Sequence, residues 1–103
     1  MPTRNARNGQ LFTSRGKINI RNSKYKLSED VIDEEISSYA SNNFSMGYLR
    51  HLFMANEILA LQLATQHNIA YYLWLVKTAR EKIMAGDFEE WKREIIGIYE
   101  QEI

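Results

Sequence analysis

From Ser45 onward apolar residues return every three or four positions, and before it they do not. Tyr48, Leu49, Leu52 and Phe53 form one stripe, which predicts a first helix. Ser45 stands just ahead of it, where a hydroxyl can accept from a free first-turn amide. Asn56 is placed to end it in the left-handed conformation that asparagine shares with glycine. A long second helix is predicted over residues 57–85, with Gly86 as its stop. Ile58, Leu59, Leu63, Ile69, Leu73, Val76 and Ile83 supply its apolar faces. Asp87 opens a third helix through Phe88, Trp91, Ile95 and Ile98. Asp87 and Glu90 stand three apart, the spacing of a capping box.

The first part of the chain follows a different rhythm. Residues 1–10 read as loop, and Asn8-Gly9 is a turn signal because both residues tolerate positive φ. Residues 11–14 and 17–21 look like two short strands with Arg15-Gly16 between them. Alternation puts Ile18 and Ile20 on one face. A lone hairpin is marginal in water, so these strands must pack on something else. Residues 22–44 are polar and turn-rich, and read as an irregular connection with one short strand or turn. The fold expected is α+β and mostly α: a short N-terminal hairpin and about three helices. It divides into residues 1–27, 28–44 and 45–103.

One segment does not fit a self-sufficient bundle. Residues 69–76, IAYYLWLV, are apolar on every side, and such a helix must be buried all round. Three helices in 103 residues cannot cover it, so the surplus should meet another part of the protein or a second copy. The length is also too short for a complete TIM barrel, which needs roughly 200 residues. With 45% hydrophobic and 25% charged residues the chain is of globular composition, not disordered. There is no cysteine, which removes disulfides, thiolate catalysis and cysteine-ligated metal. No apolar run approaches the roughly 18 residues of a membrane span, and no signal-peptide core opens the chain. A soluble cytoplasmic protein is expected.

The formal charge of zero conceals an asymmetry. Arg4, Arg7, Arg15, Lys17, Arg21, Lys24 and Lys26 lie in residues 1–27, which hold no acid. All 13 acids lie in residues 28–103. A basic arm on an acidic body can be neutralised within the molecule, or it can grip phosphates. Within the arm, Arg4 and Arg7 stand three apart among polar neighbours before a turn. A guanidinium is a planar, always-charged fork suited to base edges and phosphates, and RNA bases are most readable in single-stranded loops. The competing reading is an exposed basic terminus without a partner. His51 and His67 lack the spacing of a helical zinc site, and a packing role is the simpler reading. Ser28-Glu29-Asp30 and Asp33-Glu34-Glu35 form an acidic patch, and no pair of carboxylates stands out for catalysis.

Three blocks of sequence carry a resemblance. PTRNARNGQLFTSRGKINIRNSKYK (residues 2–26), YLRHLFMANEILALQLATQHNIAYYLWL (residues 48–75) and AGDFEEWK (residues 85–92) resemble, in register, the C-terminal part of bacterial tRNA-guanine transglycosylases, also called queuine tRNA-ribosyltransferases. The resemblance implies a C-terminal subdomain of a TIM-barrel enzyme, with the barrel itself absent from this sequence. Enzymes of that family exchange guanine at the tRNA wobble position for a 7-deazaguanine, in queuosine biosynthesis. Their nucleophilic aspartate precedes the proline-threonine-arginine run by a few residues, so the sequence is expected to begin just after it and to be inactive alone. The family's wobble-base recognition segment matches Thr3, Arg4, Asn5, Ala6 and Arg7. The implied partners are the tRNA anticodon loop, the barrel portion of the same enzyme, and a second copy in a homodimer. The family's three zinc-binding cysteines fall on Ile36, Ser38 and Ser41, and its zinc-binding histidine on His67. With three of four ligands replaced, no zinc is expected, and Ile36 and Tyr39 are expected to turn inward instead. The alternative function is a free-standing, non-catalytic RNA-binding or dimerisation module.

Overall fold

The computed structural model describes residues 8–100. Strands β1 (Gln10–Thr13) and β2 (Gly16–Asn19) form an antiparallel hairpin, and a single 3-10 turn follows at Ser23–Tyr25. Four helices come next: α1 (Tyr39–Asn43), α2 (Met46–Met54), α3 (Ile58–Ala85) and α4 (Phe88–Tyr99).

The hairpin pairs Leu11 with Ile18 and Thr13 with Gly16, which makes Ser14-Arg15 the loop. The loop therefore sits one residue earlier than Arg15-Gly16. The Thr13 side chain explains the shift: its hydroxyl donates to Gly16 O at 2.6 Å and accepts from Arg15 N at 3.2 Å. Alternation then sorts the side chains. Leu11, Ile18 and Ile20 enter the main core, while Phe12 enters a second cluster with Ile36 and Tyr71.

Residues 22–44 hold more structure than their composition suggests. Among them no strand forms, but α1 does, and it is the helix that the sequence pattern misses. Five residues are too few to display an apolar stripe. What marks the helix is its cap: Ser38 accepts from Ser41 N at 3.0 Å. Tyr39 does not turn inward as expected; it is 61% exposed and stands edge-on to Phe44. Ala40 and Ser41 take the inner positions of this short helix instead.

The later helices end where the sequence predicts. Ser45 Oγ accepts from Tyr48 N, Asn56 sits at φ +57°, and Gly86 sits at φ +82°. Asp87 precedes α4 but makes no capping bond through its side chain. Its backbone, at φ −105° and ψ 13°, is not in the extended conformation that presents a capping side chain. α2 gains a different kind of cap. Met46 N donates to Asp30 O at 2.8 Å and Gly47 N to Ser28 O at 3.0 Å, so the preceding loop satisfies two first-turn amides.

The core is formed by the hairpin, α2 and the first half of α3. α3 runs for 28 residues, about 42 Å at the standard rise. Its buried positions stop at Tyr71. Beyond that point α4 packs beside it without burying any residue of its own. Ile69, Tyr72, Leu73 and Val76 remain exposed, Leu73 at 66%. The all-apolar segment is thus covered on one side only.

Gly47 offers a test of this packing. A methyl group there would stand 2.7 Å from the backbone oxygen of Ser28. Helix propensity alone says that Gly47→Ala stabilises by about 1 kcal/mol. The contact reverses the sign, and overpacking against backbone should cost about 1–3 kcal/mol. A urea denaturation midpoint below that of the wild type is the expected result.

Candidate functional site

Two regions bear on function, and the first is a buried polar chain. It starts at the free edge of β1. Asn68 Oδ1 accepts from Phe12 N at 3.1 Å, and Asn68 Nδ2 donates to Gln10 O at 3.0 Å. Its neighbour on α3, His67, meets Phe12 O through Nε2 at 2.7 Å. A carbonyl oxygen only accepts, so Nε2 carries a proton, and in the neutral ring Nδ1 is then the acceptor. Nδ1 receives the hydroxyl of Ser38 at 2.9 Å. Ser38 Oγ in turn accepts from Ser41 N. The Ser41 hydroxyl donates to Asp33 O at 2.6 Å and accepts from Asp33 N at 3.1 Å. The Asp33 carboxylate closes the series, accepting from Ser14 N, Ser14 Oγ and Glu35 N.

Sequence reasoning places Asp33 in an acidic patch. The structure buries it, leaving 3% exposed. The discoverable signal was local: an aspartate accepting from the amide two residues ahead is a turn-forming habit of that residue. His67 is fully buried. Burial pushes its pKa below the ordinary 6.5, outweighing the bond to Phe12 O and the Asp33 charge, which both favour the protonated form.

Ile36, Ser38, Ser41 and His67 are the positions at which the resemblance implies a metal. The structure joins Ser38 to His67 and Ser41 to Ser38, and packs Ile36 beside Phe12 and Tyr71. This donor set does not fit zinc. Ile36 has no donor atom, the hydroxyls are poor ligands beside thiolates, and both imidazole nitrogens are engaged. Among the described residues no three His, Cys, Asp or Glu side chains are grouped to hold a metal ion. His51 lies apart on α2, exposed and beside Tyr48.

The second region is the root of the basic arm. Thr3, Arg4, Asn5, Ala6 and Arg7 lie outside the described residues. Gly9, at φ +81°, leads from them into β1, and a side chain built on it would meet Arg21 at 3.2 Å. Arg21 thus lies along the root of the arm, with its guanidinium 5.4 Å from the centre of the Phe53 ring. Arg50 Nε donates to Arg21 O at 3.4 Å. Lys24 Nζ sits 5.3 Å over the Tyr25 ring. The arm's positive charge therefore continues onto the folded body. Arg50 was not legible as part of it, because it lies in the acid-bearing part of the chain and is joined to the arm only by the fold.

The buried imidazole makes stability depend on pH. The unfolded chain takes up a proton near 6.5, and folded His67 takes it only at lower pH. Its contribution is therefore complete above the unfolded value and is lost as pH falls through the folded one. Urea midpoints measured across this range should be level above about pH 7 and decline below 6.5, and His67→Gln should remove that step.

The sequence profile of the queuine tRNA-ribosyltransferase family matches residues 1–101. A queuine tRNA-ribosyltransferase of Syntrophobacter fumaroxidans is 54% identical over 93 residues, 90% of this chain and 25% of its own length. That of Nitratidesulfovibrio vulgaris is 47% identical over the whole chain and 28% of its own length. That of Oleidesulfovibrio alaskensis is 49% identical over 102 residues, 99% of the chain and 27% of its own length. The chain spans about a quarter of the length of these curated relatives. No helix among the described residues is long and apolar enough to cross a membrane. With a profile that covers nearly every residue and relatives that share about half of them, the chain belongs to the queuine tRNA-ribosyltransferase family.

Proposed function

We propose that this chain serves as the tRNA-contacting, C-terminal part of a tRNA-guanine transglycosylase. In this reading the complete enzyme exchanges guanine at the wobble position for a 7-deazaguanine. Thr3, Arg4, Asn5, Ala6 and Arg7 contact the anticodon nucleotides beside the target base, and Arg4 and Arg7 provide the charged contacts. The observation that carries the reading is the acid-free basic segment of residues 1–27, in a chain that matches the family along almost its whole length. Arg21, with Arg50 bonded to its backbone, and Lys24 add positive charge for phosphates to follow. Backbone contacts of this kind position a nucleic acid, and base contacts select its sequence.

The uncovered half of α3 has a place in the same reading. Tyr72, Leu73 and Val76 form an exposed apolar surface, and aromatic residues anchor interfaces well. We assign this surface to the barrel portion of the enzyme and to a second copy in a homodimer. The body would thus act as a platform that holds the basic arm against the anticodon loop.

Two outcomes test the assignment. In the complete enzyme, Arg4→Ala should weaken binding of the cognate anticodon stem-loop by about 1–3 kcal/mol. Unchanged affinity together with unchanged turnover would reject the role. The 103-residue chain alone should incorporate no labelled guanine into unmodified tRNA above background, because the implied nucleophile is not among its residues. Incorporation would show that the exchange chemistry has been misplaced.

A further inference from the structure

Residues 28–38 contain no helix or strand, yet Ile32, Asp33, Ile36 and Ser38 within them are buried. An irregular segment has no ladder of its own; backbone bonds from Met46 and Gly47 hold its start at Asp30 and Ser28, and the rest must be fixed by side chains or by an ion. In this chain it is fixed from both ends of one hydrogen-bonded series. Ser38 ties it to His67 of α3, and Asp33 ties it to Ser14 at the hairpin loop. Ser41, in α1, connects the two by bonding both Asp33 and Ser38.

We propose that this series, from Phe12 through His67, Ser38 and Ser41 to Asp33 and Ser14, does the cross-linking work of a structural metal, so that the chain folds and keeps its shape with no metal bound. Three features support it. The series is closed: Nε2 donates to Phe12 O, Nδ1 accepts from Ser38, Ser38 accepts from Ser41, and the Asp33 carboxylate has three donors. No imidazole nitrogen is left for an ion unless a buried partner is abandoned, and buried partners are costly to abandon. Ile36 supplies the remaining corner as apolar volume, 2% exposed, in the cluster with Phe12 and Tyr71. Lastly, the series reaches further than four ligands would. It includes Asp33 and Ser14, which lie outside the implied ligand positions and extend the tie to the hairpin loop.

The inference does not depend on the RNA reading, and its test involves no RNA. Protein made in zinc-supplemented medium and purified without chelator should carry far less than one zinc per chain. Its thermal midpoint should be the same with and without excess EDTA. About one tightly held zinc per chain, with a midpoint that falls when EDTA removes it, overturns the proposal. Ser38→Ala and Ser41→Ala should each lower the midpoint by several degrees and speed hydrogen exchange at the Asp33, Glu35 and Ser41 amides. Midpoints and exchange like those of the wild type would show that the series holds nothing. A variant combining Ile36→Cys, Ser38→Cys and Ser41→Cys tests the location. Whether or not it folds without metal, it should take up one cobalt(II) per chain with the absorption of a tetrahedral thiolate site. Failure to bind cobalt would show that these positions and His67 do not converge on one centre, and would overturn the claim that the series stands in the metal's place.

Discussion

A two-stranded hairpin leaves the outer edge of each strand without partners, and the rest of this structure depends on how β1 solves that problem. Phe12 N, Phe12 O and Gln10 O are met by two consecutive side chains of one helix. Asn68 suits the task because a carboxamide carries the same donor and acceptor as a peptide group. His67 suits it because a neutral imidazole donates on one side and accepts on the other. The helix therefore behaves toward β1 as a third strand would, using side chains in place of backbone. Placing α3 in this way fixes the main core on one face of the hairpin and the Phe12 cluster on the other.

Much of this was written locally in the sequence. Ser45, Asn56 and Gly86 mark helix ends through the conformations or caps that they favour, and each does so in the folded chain. Alternation puts Ile18 and Ile20 on one face, and both lie in the main core. The failures share a different cause. α1, at five residues, is too short for an apolar stripe to repeat. Asp87 has the residue type of a cap but not the backbone that presents one. Asp33 reads only as part of an acidic patch because its neighbours are charged, whereas two of its partners, Ser14 and Ser41, are 19 and eight residues away. Pattern reading detects what repeats within a few residues, and a buried polar series joins single residues across the whole chain.

The same distinction applies to the two candidate regions. The basic arm was visible as a run without acids, since charge can be summed along a sequence. Its continuation onto Arg50 was not, since only folding brings α2 to Arg21. The four implied ligand positions could be identified by resemblance, and their chemistry argued against a metal. The hydrogen-bonded series at those positions could not be read from the four alone, because Asp33 and Ser14 complete it from outside them.

Phe12 has a further part. Its backbone is read by His67 and Asn68, and its ring stacks on Tyr71 at 5.5 Å and on Tyr99 at 5.7 Å. Tyr99 closes α4, a helix that buries no residue of its own. Regions with few buried contacts open at lower free energy than the core around them. By that rule α4 opens at lower free energy than the core, and when it does it takes with it one of the two rings that clamp Phe12. The loosest helix of the chain and the strand edge on which the fold is assembled thus share a single side chain, through which fraying at the periphery is felt at the centre.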